Sequence, residues 1–369
     1  MDFAWEEFPA RASWNGRGRI SWPLVTVSTA SFPIAHPPAH SVVYAALDLG
    51  TNNCRLLIAR PASGGFRVLD AFSRIVRLGE GLARTGALSE AAMDRTIAAL
   101  AVCAQKVRAR RVDHLRAVAT EACRQASNCA EFLERARRET GLEIETIPAS
   151  EEARLVLAGC GPLLDPNAAR ALLFDIGGGS TELLWVGLDQ REPDMLGYAS
   201  LPMGVVTLAD RYGGREVSRE LYVAMRDEAA AALALFDEEH DISGWIGSDS
   251  RQPGRMQMLG SSGTVTTLAG VHLELPRYNR SMVDGIVLDR ASVDAASERL
   301  LAMDYAGRAA HPCIGPERAD LVLAGCAILS AITGRWPCPR LRVADRGVRE
   351  GILYGLMARN GRRSRAAGL

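Results

Sequence analysis

Ala171-Leu172-Leu173-Phe174-Asp175-Ile176-Gly177-Gly178-Gly179-Ser180-Thr181 sets an apolar run against an acid, and the acid against three glycines. A short apolar run bounded by turn residues reads as a buried strand. Residues 171–175 are therefore predicted as a strand, 176–180 as a tight turn and 181–188 as the strand that returns. The same grammar stands earlier in the chain. Val42-Val43-Tyr44-Ala45-Ala46-Leu47-Asp48 is a second apolar run, Leu49-Gly50-Thr51-Asn52-Asn53 its turn, and Cys54 to Arg60 its returning strand. In both copies an Asp ends the first strand and a Gly follows two residues later, while a Leu-Leu pair (Leu56-Leu57, Leu183-Leu184) stands eight and nine residues after the Asp. Such repetition argues for an internal duplication with equivalent turns facing each other.

Outward from these hairpins, the first copy continues with a strand from Phe66 to Ile75. Ser89 then caps a helix to about Arg110, whose Met93, Ile97, Leu100, Ala104 and Val107 form the stripe that a core-packing helix needs. A strand from Leu115 to Ala119 follows. Asn128, with Glu131 three residues later, predicts a capping box, Gly141 a helix stop, and Glu143 to Ile147 a strand. The second copy adds a strand from Met195 to Leu201, a helix from Arg219 to Phe236 and a strand from Met256 to Leu259. A Gly-rich turn, Gly260-Ser261-Ser262-Gly263-Thr264, opens another helix; a strand from Leu341 to Ala344 leads to a final helix from Val348 to about Arg359.

A chain of 369 residues exceeds the size at which one core usually stops growing. The expected division is a flexible extension at 1–40, a first domain at 41–126, a second at 127–346, a helix at 347–360 that packs back on the first, and a basic tail at 361–369. Residues 20–35 follow Arg17 and Arg19 but contain Pro, Ser and Thr, and Asp2, Glu6 and Glu7 are wrong for a basic leader, so a secretion signal is not expected. No apolar run is long enough to span a membrane.

Basic and acidic residues balance at 43 each, so no global attraction to DNA or to an anionic membrane exists, and any anion site must be local. Lys106 is the only lysine, and it lies on a predicted helix surface. That excludes a phosphate-loop lysine and a Schiff-base lysine. The eight cysteines show no zinc-type spacing and read as reduced cytoplasmic thiols.

Three Gly-rich turns offer backbone N–H groups unobstructed by side chains, the arrangement that binds oxyanions. Gly50, Thr51, Asn52 and Asn53, then Gly177, Gly178, Gly179, Ser180 and Thr181, then Gly260, Ser261, Ser262, Gly263 and Thr264 are the candidate phosphate-binding residues. Asp48 and Asp175 are hard oxygen ligands at strand ends, where open α/β sheets bind ligands. They suit magnesium or another divalent cation, which takes one or two carboxylates plus phosphate oxygens.

The order of Ala46-Leu47-Asp48-Leu49-Gly50-Thr51-Asn52, Val118-Ala119-Thr120-Glu121-Ala122-Cys123-Arg124, Glu151-Glu152-Ala153-Arg154-Leu155, the Asp175–Glu182 turn and Gly260–Thr264 resembles the exopolyphosphatase/guanosine pentaphosphate phosphohydrolase (Ppx/GppA) family. Glu317-Arg318-Ala319-Asp320 and Arg346-Gly347-Val348-Arg349-Glu350-Gly351 extend the likeness. The resemblance implies an α/β, duplicated actin-like ATPase (ribonuclease H-like) fold of two domains around a cleft. It implies hydrolysis of the terminal phosphoanhydride of polyphosphate or guanosine pentaphosphate, with magnesium. Glu121 matches the water-activating base, Glu151 and Glu152 the second carboxylate region, and Arg124 would face the phosphates. A homodimer is compatible with it. A kinase of the same superfamily and a non-catalytic sensor are the rival readings. Larger relatives carry a further C-terminal helical domain, so a weaker hold on long polymers is expected here.

Overall fold

In strand β1 (Tyr44–Leu49), Ala45, Leu47 and Leu49 enter one core while Tyr44 and Ala46 enter another. Side chains alternate along a strand, so an unbroken apolar run means a strand covered on both faces. Strand β2 (Asn53–Ala62) divides its Leu pair in the same way, Leu56 into the first core and Leu57 into the shared one. The structure, a computed structural model, describes residues 42–190, 193–248 and 255–366, with side chains as far as 361. The extension expected at 1–40 lies outside the described residues.

The first sheet adds β3 (Gly65–Ile75), β4 (His114–Ala119) and β5 (Glu145–Thr146), in the order β3-β2-β1-β4-β5. Around it lie α1 (Leu82–Thr85), α2 (Glu90–Ala109), α3 (Glu121–Gln125), α4 (Cys129–Thr140) and α5 (Ala149–Cys160). The second sheet comprises β6 (Arg170–Ile176), β7 (Thr181–Gly187), β8 (Asp194–Leu201), β9 (Met256–Ser261), β10 (Val287–Asp289) and β11 (Arg340–Ala344), in the order β10-β11-β9-β6-β7-β8. Its helices are α6 (Val205–Tyr212), α7 (Arg219–His240), α8 (Ile242–Ser248), α9 (Gly263–His272), α10 (Arg280–Val283), α11 (Arg290–Ala302), α12 (Tyr305–Ala310) and α13 (Val322–Arg335). Helix α14 (Val348–Ala366) closes the chain.

The duplication is exact in its central pairings. β1 runs antiparallel to β2 and parallel to β4; β6 runs antiparallel to β7 and parallel to β9. Leu183 faces the second domain's core and Leu184 the shared one, the arrangement of Leu56 and Leu57. The shared core holds the inner faces of both sheets together with Val156 and Leu157 of α5 and Ile352 and Leu353 of α14.

Several expectations are corrected. The first domain does not stop at 126, because β5 pairs with β4 and α4 puts Phe132 and Ala136 into the first core. The side chain of Asn128 makes no capping bond; it accepts from Leu88 N at 2.8 Å and donates to Leu88 O at 3.0 Å, tying α4 to the approach of α2. The strand expected over 143–147 contracts to two residues, α7 runs on to His240, and the final helix continues through most of the expected tail to Ala366.

Helices α5 and α14 meet backbone to backbone. A Cβ on Gly159 would lie 2.1 Å from Gly347 O, and one on Gly351 2.0 Å from Leu155 O. Gly351→Ala is therefore expected to force the pair apart at the cost of overpacking, about 1–3 kcal/mol or more, and to lower the melting temperature by several degrees. Gly355→Ala, on the same helix with nothing within 4 Å of the added carbon, should leave the melting temperature unchanged or raise it. Equal melting temperatures for the two variants would contradict this packing.

Candidate functional site

Where the ends of β1 and β6 face each other, a cleft opens between the two domains. The first turn closes with Gly50 N donating to Asn53 O at 2.9 Å, and the second repeats the bond, Gly177 N to Ser180 O at 2.9 Å. The turns touch. A Cβ on Gly178 would lie 3.1 Å from Asn52 N, and one on Gly179 2.7 Å from Thr51 Oγ1 and 3.2 Å from Glu121 Cγ. Only a residue without a side chain lets the second turn approach the first so closely.

Of the residues singled out in the sequence, Asp48, Gly50, Thr51, Asn52, Asn53, Glu121, Glu152, Asp175, Gly177, Gly178, Gly179, Ser180, Ser262, Gly263 and Thr264 line this cleft. The others do not. Glu151 turns away and accepts from Arg116 Nη2, because residues 151 and 152 are about 100° apart on a helix. Thr181 is fully buried and donates to Met203 O at 2.7 Å. Ser261 donates to Arg346 O at 2.6 Å, and Gly260 makes room in β9 for the ring of Phe174. Arg124 does not reach into the cleft. Its guanidinium donates to Glu121 Oε2 at 2.9 and 2.6 Å, to Glu152 Oε2 at 2.8 Å and to Ile147 O at 3.0 Å. Glu121 is the first residue of α3, where the helix end favours its negative charge.

Three charged lining residues were given no role by the sequence. Arg55 is the cross-strand partner of Asp48, and Glu182 that of Asp175. Each stands seven residues after its Asp, so hairpin pairing across the turns was the signal that could have found them. Arg318, before α13, stands in the Glu317–Asp320 stretch of the family likeness, but no hairpin pairing points to it. Ser262 caps α9 by accepting from Val265 N at 3.2 Å, from a backbone with φ 154° that favours glycine.

Burial and crowding raise the proton affinity of the acids here. Burial, aided by the charge of Glu152, pushes Asp175 up to about 7. Burial also raises Glu152, with the charge of Glu182 adding to it and Arg124 opposing it. Glu182 is raised by burial and by Asp175, against hydrogen bonds from the Ser180 and Ser200 hydroxyls at 2.6 and 3.0 Å. Asp48 is raised by burial, which Arg55 and Arg349 partly offset.

Thr51 Oγ1, Asn52 Oδ1 and Asn53 Oδ1 are buried without a hydrogen-bond partner. Orphaned polar atoms are rare in folded proteins and call for an explanation. Amide and hydroxyl oxygens beside crowded carboxylates fit a hydrated divalent cation, with Asp48 and Asp175 as the residues that could hold it. Among the described residues, no three Asp, Glu, His or Cys side chains form a cage of their own. No helix among the described residues is long and apolar enough to cross a membrane.

Compared with known proteins, residues 57–360 match the Ppx/GppA phosphatase family. Among solved structures, an exopolyphosphatase from Cytophaga hutchinsonii superposes with a TM-score of 0.76 at 24% identity, covering 86% of this chain and 98% of that one. An exopolyphosphatase-like protein gives a TM-score of 0.72 at 30% identity, over 85% and 97% of the two chains. The Aquifex aeolicus Ppx/GppA family member gives 0.67 at 28% identity, over 86% and 98%. The fold is thus the two-domain actin-like α/β architecture of that family.

The acids predict a pH dependence. A carboxyl whose affinity for protons is higher in the folded state keeps its full stability contribution below the unfolded value, and loses it as pH rises through the folded value. With chelator present, the melting temperature should fall as pH rises from near 4 through about 7, the value of Asp175. Asp175→Asn should flatten that fall. A wild-type profile that is level or rising across this window, measured by thermal unfolding, would contradict the electrostatic account.

Proposed function

Because the chain belongs to the Ppx/GppA phosphatase family, we propose that it hydrolyses the terminal phosphoanhydride of inorganic polyphosphate or guanosine pentaphosphate. The observation that carries this reading is the approach of Glu121 to the second Gly-rich turn where that turn meets the first, its Cγ 3.2 Å and Thr51 Oγ1 2.7 Å from the position of a Cβ on Gly179. In this reading, N–H groups of the two turns hold the oxygens of the terminal phosphate, and Arg55 and Arg318 add fixed positive charge on the cleft wall. Glu121 takes the proton from the attacking water. Arg124 serves by holding Glu121 and Glu152 through its fork, rather than by touching phosphate. Phosphoryl transfer is mainly a matter of positioning and charge stabilisation, which is what this set of groups offers. A divalent cation held by Asp48 and Asp175 would supply charge neutralisation of the phosphate oxygens. The eight free thiols suit a reducing, cytoplasmic setting.

Glu121→Gln keeps the shape and removes the base. General-base catalysis contributes about a hundredfold to ten-thousandfold, so kcat should fall on that scale while substrate affinity and melting temperature stay near wild type. Phosphate release from polyphosphate, guanosine pentaphosphate and ATP, compared with magnesium and with chelator, gives the readout and ranks the substrates. Retention of more than about a tenth of kcat would move the role of base to Glu152, since the loss would be below the range for general-base catalysis. Full wild-type activity in excess chelator would remove the cation from the reading.

A further inference from the structure

The segment between β3 and α1 is fastened to the first turn. Asn52 O accepts from Val76 N at 2.8 Å and from Arg77 N at 3.0 Å, and Thr51 O accepts from Gly79 N at 2.9 Å. A Cβ on Gly79 would lie 2.3 Å from Thr51 Cγ2, so the two segments are in full contact. Arg77 itself is held at φ 48°, a left-handed conformation that residues with side chains seldom adopt. From there its side chain crosses to the second domain. Nη1 donates to Asp320 Oδ2 at 2.8 Å, and Nη2 to Asp320 Oδ1 at 2.9 Å and to Glu317 O at 3.1 Å. A planar fork bound at two points fixes orientation as well as distance. A smaller tie runs alongside it, from Gly81 N to Asp210 Oδ2 of α6 at 3.3 Å.

Between the two residues that Arg77 grips stands Arg318, whose side chain lines the cleft. Burial and the like charge of Arg55 both act against the Arg318 guanidinium. Asp345 and Glu317 draw the charge the other way, but among the described residues no hydrogen bond fixes the Arg318 side chain, so its place depends on the backbone that carries it. Arg77 brackets that segment, at the Glu317 carbonyl on one side and the Asp320 carboxylate on the other, while its own backbone N–H is bonded to Asn52 O of the first turn.

We propose that Arg77 is a positioning residue, a clasp that couples the first phosphate turn to Arg318 on the opposite wall, so that domain closure and grip on the terminal phosphate occur together. This rests on the reading that the cleft holds phosphate. Arg77 touches no substrate in this scheme; it acts through Arg318.

The test is a double-mutant cycle on the full chain with Arg77→Met, Arg318→Met and the pair. Arg77→Met should raise KM for phosphate release roughly tenfold with a smaller change in kcat, and should add nothing further in the Arg318→Met background. The thermal upshift given by tripolyphosphate in chelator, which needs no turnover, should shrink in the same non-additive way. Arg77→Lys keeps the charge and loses the fork, so it should resemble Arg77→Met in KM; it also serves if Arg77→Met fails to fold. Additive effects, or a KM and upshift untouched by either Arg77 variant, overturn the proposal. Should the wild type show neither phosphate release nor an upshift, the phosphatase reading itself fails. The clasp is then decided by solution scattering, where a larger radius of gyration for Arg77→Met supports it and an unchanged one overturns it.

Discussion

The distance between the two sheets is fixed by one contact, the approach of α5 to α14 at Gly159, Gly347 and Gly351. Both helices lie in the core shared by the inner faces of the sheets, so their separation sets that of β1 from β6. Backbone-to-backbone contact is the closest that two helices can make. The consequence reaches the cleft directly. A Cβ on Gly347 would lie 3.4 Å from Ser261 Oγ and 4.0 Å from Asp175 Oδ2, so the residue that lets the helices meet also stands beside the strand-end acid. With the sheets this close, the turns that follow β1 and β6 come into contact, and the glycines of the second turn become obligatory.

Closeness has an electrostatic cost. Asp48, Glu152, Asp175 and Glu182 are brought into one water-poor region, and each is raised in proton affinity first of all by burial. Part of the cost is offset by Arg124 and by the Ser180 and Ser200 hydroxyls; the rest is carried by the whole fold. Sites kept at such expense are where stability and activity trade against each other. The large shared core on the far side of the turns lets the acids remain without local relaxation.

The architecture was legible because its signals are local and repeated. Two apolar runs buried on both faces, each ending in Asp and a Gly-rich turn, determine the central strands, and each split Leu pair follows from alternation along a strand. The phase of α5 was legible too, though unused: Ala153, Val156, Leu157 and Cys160 form its buried stripe, and Glu152 falls on that stripe while Glu151 falls beside it. Other features depend on contacts made at a distance. Asn128 follows the capping pattern, but Leu88, forty residues away in the chain, takes its side chain. Arg124 suits phosphate by chemistry, yet two carboxylates reach it first. The first domain's true limit is a matter of strand pairing, which residues 127–147 do not announce by composition.

The same charges explain why phosphate and cation would act together. The chain carries 43 basic and 43 acidic residues, so nothing draws a polyanion from afar, and the attraction must be made inside the cleft. Inside, carboxylates outnumber the guanidiniums of Arg55 and Arg318 that face them. A phosphate arriving alone would meet turn N–H groups and two cations on one account, and repulsion from several acids on the other. Those acids can give way in two manners, by taking up protons, as their raised affinities favour, or by sharing a cation. Protonation quiets the repulsion but also removes the hard oxygen ligands that a cation needs. Above the range in which the acids lose their protons, a divalent cation would satisfy the acids and the phosphate at once, so phosphate would bind this cleft more tightly with the metal than on the turn N–H groups and the two arginines alone.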